Sequence, residues 1–211
     1  VIRTWEDQVE GLPMVDAREI TSKQKQIAVS EFFEKNKHFL GFDSLQRSLI
    51  TAVKESVDNS LDACEEARIL PNISVQIDRL KGDEIRLVTQ DNGPGIPRDA
   101  VEHVFGKFLL GSRFHAIRQT RGQQGIGITG VVMYSQLTTG VKTKVTSKIA
   151  SDSSAVFVDI GLDTRKNRAI KSREKRDVWF DDITGEVVEH GLRIEARMKG
   201  KYQRGKQSVF Q

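Results

Sequence analysis

Apolar positions along this chain change their period several times, and each change marks an element. Between residues 23 and 39, Ile27, Ala28, Phe32 and Phe33 sit among Lys, Gln and Glu, which predicts an amphipathic helix. Asp43 or Ser44 can cap a second helix, expected from about Ser44 to Ile69 and ending before Pro71. Ile73 to Ile77 alternates strictly and Ile85 to Val88 follows, so with Gly82 and Asp83 at the turn they predict a β-hairpin. Asp91-Asn-Gly-Pro-Gly95 reads as a loop on composition. A short helix is expected over 98–105, a glycine- and arginine-rich loop over 106–124, and an apolar helix from about Gly125 to Leu137. Strands are expected near 142–149, 154–161 and 191–198, with a basic stretch between the last two, and a further helix is expected to begin at Tyr202. Residues 1–22 show no period and read as an extended arm; residues 23–211 read as one domain.

Helix, helix, hairpin, helix, helix and then strands is not the alternation of a doubly wound sheet. The order fits a two-layer α/β (α+β) sandwich, with a mixed, mostly antiparallel sheet covered by helices on one face.

Composition adds boundaries more than detail. The 211 residues are 37% hydrophobic and 29% charged, as in a globular domain. No apolar run is long enough to cross a bilayer, and Val1 to Glu10 has no apolar signal core, so no membrane association is expected. The single cysteine, Cys64, excludes an internal disulfide and makes a cytoplasmic address the expectation. A net charge of +4 says little about nucleic acid. Its distribution says more, because cations crowd residues 165–176 and again 193–206. An ordinary solvated surface and an anion-binding stripe both remain open for these runs.

Three local patterns carry candidate chemistry. On the second helix, Glu55, Asp58, Asn59 and Asp62 share an arc of about 100° at 3.6 residues per turn, while Val53, Val57, Leu61 and Cys64 are free to pack. Acids so placed repel one another, and a cation or a chemical task relieves that cost. Next, Asp91-Asn-Gly-Pro-Gly95 follows a strand, where a carboxylate can accept from an amino group and glycines admit a ligand to the backbone. Finally, Gly122-Gln-Gln-Gly125-Ile-Gly127 opens a helix, where exposed N–H groups and the helix dipole favour an anion. Its spacing is not that of the dinucleotide fingerprint, and no Walker-type phosphate loop occurs in the chain. Each pattern alone also suits an ordinary helix face or surface turn.

Their order is more specific. An acidic-amide helix, a post-strand Asp-Asn-Gly-x-Gly loop and a glycine-rich helix start together resemble the ATPase superfamily of gyrase B subunits, heat-shock ATPase chaperones, MutL mismatch-repair proteins and histidine kinases. Within it, the chain looks most similar to the B subunits of topoisomerase VI, the type IIB enzymes. The resemblance is carried by Phe42-Asp-Ser-Leu-Gln-Arg47, Glu55 to Glu65, Gln119 to Gly127, Met133-Tyr-Ser-Gln136 and, more loosely, Gln203 to Ser208. It implies a Bergerat-type ATP-binding fold.

For particular residues the resemblance implies Glu55 as general base, Asn59 as the protein ligand of magnesium, and Asp58 and Asp62 ordering waters. It implies Asp91 as the adenine reader, with Gly95 admitting the base. Ser112 and Arg113 would lie near the phosphates in a lid. The backbone of Gly122, Gln123, Gln124, Gly125, Ile126 and Gly127, with Ile128 and Thr129 behind, would cradle the triphosphate. Arg204 and Lys206 are candidate contacts to duplex DNA. The implied cofactors are ATP and Mg. The implied partners are a DNA-cleaving A subunit, in a complex of two A and two B, double-stranded DNA, and a second copy engaged on ATP binding. The arm would pass between protomers, and the protein would work at the nucleoid of an archaeal cell. A dimerising clamp of the MutL or chaperone kind is the alternative. One departure stands out: many relatives have Gly-Thr on the late strand, where this chain has Gly191-Leu192. The family's helical and transducer domains, with a lysine for the γ-phosphate, are expected outside this chain.

Overall fold

The computed structural model describes residues 29–106, 127–163 and 168–202. The arm at 1–22, the loop through 107–126 and the segment from 203 onward lie outside the described residues, so the expectations placed on them are not addressed by the fold. The first described helix, α1 (Val29–Leu40), leads into α2 (Leu45–Glu66). Ser44, not Asp43, opens α2: its backbone is extended and its Oγ accepts the Arg47 N–H at 3.2 Å. Asp43 instead accepts from the Arg47 guanidinium at 2.7 Å. The hairpin follows as β1 (Ile73–Arg79) and β2 (Glu84–Asp91), then α3 (Arg98–Gly106) and α4 (Gly127–Thr139). Four further strands are described: β3 (Thr143–Lys148), β4 (Ala155–Asp163), β5 (Arg168–Asp177) and β6 (Gly191–Lys199).

The strands form one sheet in the order β1-β2-β6-β3-β4-β5, and every neighbouring pair is antiparallel. Directly paired residues share a face. Leu87 opposite Ala196, and Ile194 opposite Val145, which is opposite Val158, define the inner face. That face is buried together with Leu49, Val101, Phe105, Val131 and Val132 from the helices. The outer face carries Arg86, Lys144 and Glu195. Burial works against ionising Glu195, but Arg86 and Lys144, each at 2.8 Å, hold its carboxyl at about 2.

Helix α2 packs differently from its apolar pattern. Val53 does join the core, but the fully buried seam is Ser48, Ala52, Ser56, Ser60 and Cys64, one residue every fourth position, flanked by Leu49. Polar and small side chains thus fill that inward-facing seam of the helix.

Helix α4 is fastened by polar side chains as well as by apolar ones. Tyr134 and Ser135 donate to the Lys199 and Arg197 carbonyls at 3.0 and 2.7 Å, past the last β3–β6 pair. Gln136 bonds Leu162 with both ends of its amide, at 2.8 and 2.7 Å.

The basic stretch, expected as a connection, is strand β5. It lies at the sheet edge, and its described cations each face a carboxylate: Arg168 with Asp163, Lys171 with Glu102, Arg173 with Asp159, Lys175 with Asp177, and Arg176 with Asp152, at 3.4–3.8 Å. Mixed charge on an edge strand discourages pairing with another sheet. The described part of this run is a charge-balanced edge.

Candidate functional site

The polar face of α2 and the loop after β2 meet over the inner face of the sheet. Asn59, Ala63, Asp91, Pro94, Gly95, Ile96, Val104, Phe105, Ile128, Leu192 and Ile194 enclose a cavity of about 170 Å³. Its walls are apolar except for Asn59 and Asp91, so it suits an apolar group that carries a polar edge.

Asp91 closes strand β2 and is buried. Burial pushes its carboxyl above the usual range, and three donors pull against that shift: the Ser60 hydroxyl at 2.6 Å, Gly93 N at 2.9 Å and Leu192 N at 3.2 Å. Asp91 is therefore a fixed acceptor. The loop beyond it is equally fixed. Ile96 N donates to Ser147 Oγ at 2.7 Å, and Asn92 Oδ1 accepts Asn72 N at 2.8 Å. Gly95 has φ +72°, and a Cβ there would overlap the Lys148 carbonyl. No other residue fits without moving the loop off β3.

Glu55 lies one turn before Asn59 on the same helix. A Cβ on Gly127 would overlap Glu55 Oε2, so the carboxylate occupies the space at the start of α4 that a side chain would take. Burial raises the Glu55 carboxyl above the ordinary carboxylate range; Lys54, at 3.8 Å, opposes this and Asp58 adds to it. Lys54 pairs more closely with Asp58, at 2.7 Å. A carboxylate so tuned is a better proton acceptor near neutrality than an exposed one. Asn59 Nδ2 donates to the Glu55 backbone carbonyl at 2.6 Å, and its Oδ1, which has no hydrogen-bond partner among the described residues, is an acceptor for a cation or water.

The structure thus brings Asn59, Asp91, Gly95 and Ile128 together around one cavity, with Glu55 and Gly127 beside it at the α4 terminus. Thr129 is buried within α4. Ser112, Arg113, Gly122, Gln123, Gln124, Gly125 and Ile126 lie outside the described residues, as do Arg204 and Lys206. Leu192 pairs with Asp91 in the β2–β6 register and lines the cavity, so an apolar side chain stands at that wall. Two supporting residues, Ser60 and Ser147, are not among those the sequence motifs point to. Ser60 belongs to the four-residue repeat of small residues on α2, which is a readable signal. Ser147 has none.

The tuning of Glu55 gives a sign for pH dependence. As a general base Glu55 would work as the carboxylate, so the rate would fall as pH drops through its raised pKa. Lys54 lowers that pKa, so Lys54→Ala should move the acid limb of kcat to higher pH. A kcat–pH profile checks this; an unmoved limb assigns the limb to another group.

Comparison with known proteins agrees with this geometry. Residues 44–164 match the family described as histidine kinase-, DNA gyrase B-, and HSP90-like ATPase. The B subunit of type 2 DNA topoisomerase 6 from Methanosarcina acetivorans is 49% identical over 92% of the chain, which covers 30% of that protein. The B subunits of the same enzyme from Natronomonas pharaonis and Archaeoglobus fulgidus are 51% and 48% identical over 90% and 91% of the chain, covering 23% and 31% of theirs. The chain spans about a third or less of the length of these relatives. With its acid, amide and glycine loop converging on one cavity inside the matched span, the chain belongs to the ATPase family that includes histidine kinases, DNA gyrase B and HSP90.

Proposed function

We propose that this chain is the ATP-binding and ATP-hydrolysing domain of a topoisomerase VI B subunit. The observation that carries the proposal is near-50% identity to such subunits across nine-tenths of the chain. In this reading the adenine enters the cavity of Asn59, Asp91 and Gly95, and Asp91 accepts from its amino group. The triphosphate lies along the amides of residues 122–127 at the α4 terminus, where the helix dipole favours it. Glu55 takes the proton of the attacking water.

A magnesium ion suits the Asn59 Oδ1, since Nδ2 is the end of the amide that the Glu55 carbonyl engages. When bound, the ion neutralises phosphate charge. Asp58 and Asp62, on the same face, order its waters. Ser112 and Arg113 belong to a lid that closes over the phosphates. Following helical and transducer domains would complete the B subunit.

ATP then closes a B-subunit dimer. That closure gates the passage of one duplex through a break made by the A subunit, relaxing supercoils. Arg204 and Lys206 contact phosphates of the duplex, so their contribution is independent of sequence and sensitive to salt. The setting is the nucleoid of an archaeal cell.

The test uses the whole B subunit with its A subunit on supercoiled plasmid. ATP-dependent relaxation is expected. ATP-dependent dimerisation with no relaxation would instead identify a clamp of the MutL or chaperone kind. The arm is tested alongside: deleting residues 1–20 should reduce the dimer formed with a non-hydrolysable ATP analogue and spare nucleotide binding. A truncated protein that dimerises as well as the intact one, by sedimentation, excludes exchange of the arm.

A further inference from the structure

Residues 178–190 stand beside the nucleotide loop and are tied to it. Trp179 is 3% exposed, and Phe180 bridges Val187 to make a short hairpin. Asp181 closes the turn by accepting Ile183 N and Thr184 N, both at 2.8 Å. Four contacts then bind the segment to the sheet. Gln90 donates to Asp181, Arg193 to Asp182 at 2.6 Å, and Lys148 to the Glu189 carbonyl at 2.7 Å. The fourth reaches the loop itself: His190 Nδ1 lies 2.8 Å from Gly93 O. A carbonyl only accepts, so His190 carries a proton on Nδ1.

Gly93 is therefore held at both ends, its N–H by Asp91 and its carbonyl by His190. Pro94, which follows, has no N–H to contribute. Pro94 and Gly95 wall the cavity, whereas His190 does not line it.

We propose that His190 is a positioning residue for base recognition: by gripping Gly93 O it holds the Pro94–Gly95 wall in register with Asp91. It sets adenine affinity and selectivity without touching the nucleotide. The inference rests on residues 91–95 being the adenine loop. The phosphate end of the site and Glu55 belong to other elements, so they are left unaffected.

His190→Ala and His190→Asn separate this role from a general structural one, because the Asn Nδ2 can stand where the His Nδ1 stands. Three quantities are read in the whole protein: Kd for ATP, Kd for inorganic tripolyphosphate, and kcat at saturating ATP. His190→Ala should weaken ATP about five- to tenfold, the worth of one such hydrogen bond. It should leave tripolyphosphate binding and kcat unchanged, and His190→Asn should recover most of the ATP affinity. Unchanged ATP affinity in His190→Ala overturns the inference. So do parallel losses for both ligands, or an Asn variant as weak as the Ala one. A wild-type protein with no preference for adenine nucleotides overturns the functional reading as well, which marks that failure apart.

Discussion

Glu55→Gln should keep ATP bound and slow its hydrolysis by about 10²- to 10⁴-fold, the range for loss of a general base. The amide has the size of the acid, so it fits beside Gly127 where the carboxylate stands. It cannot accept the proton of the attacking water. Lys54 loses only a 3.8 Å neighbour and keeps its 2.7 Å contact with Asp58, so the helix face stays intact. Single-turnover hydrolysis in the whole enzyme, beside a nucleotide titration, gives the two quantities. Normal turnover in this variant would remove Glu55 from the chemistry. Asn59→Ala provides the contrast: it should weaken binding only when magnesium is present.

Asp91→Asn should change which base is accepted. One amide oxygen can still receive Gly93 N and Leu192 N, while the Ser60 hydroxyl reverses to accept from the new –NH2. The fold has little reason to change. Toward the ligand, however, a charged acceptor becomes a neutral group with a donor, set against the adenine amino group. Losing a charge-assisted bond and gaining an opposed donor should weaken ATP by about 10²-fold or more. A purine with a carbonyl in that place, such as hypoxanthine, should lose much less. Competition between ATP and ITP measures this. An unchanged ratio between them means that Asp91 does not read the base.

Much of this site is legible in the sequence because its chemistry is local. Glu55 and Asn59 are one helical turn apart, and Asp91 to Gly95 is a single loop, so spacing alone puts them on one face and at one strand end. The β1–β2 hairpin is equally plain from its alternation and its Gly82 turn. Strand β5 is not. Its residues alternate little in burial, because an edge strand with one covered face keeps its cations in water. Composition alone therefore reads it as a connection. The burial seam of α2 also departs from hydropathy: Ser and Ala fill it, while Val57 and Leu61 are only half-buried. Contacts across the chain leave no local mark. The grip of His190 on Gly93 and of Ser147 on Ile96 depends on which strands become neighbours. The register also places the Gly191-Leu192 pair: Leu192 stands opposite Asp91 at the cavity wall.

Strand β6 comes last among the described strands in sequence yet sits at the middle of the sheet. The hairpin β1–β2 and the meander β3–β4–β5 close over short loops, but Thr89 meets Ile194 and Val145 meets Ile194 only when β6 arrives. Until residue 199 is free, a chain emerging from the ribosome can pair β1 with β2 and β3 with β4 and β5, but lacks the strand that joins the two groups across β2 and β3. The cavity is incomplete over the same interval, because Leu192 and Ile194 are part of its wall. ATP can bind only after the two halves have joined. From then on it stabilises the joined state in proportion to the logarithm of its concentration over Kd. Nucleotide bound in this cavity would thus fasten the fold late, and a nascent chain stalled before Gly191 lacks both the joining strand and two residues of the cavity wall.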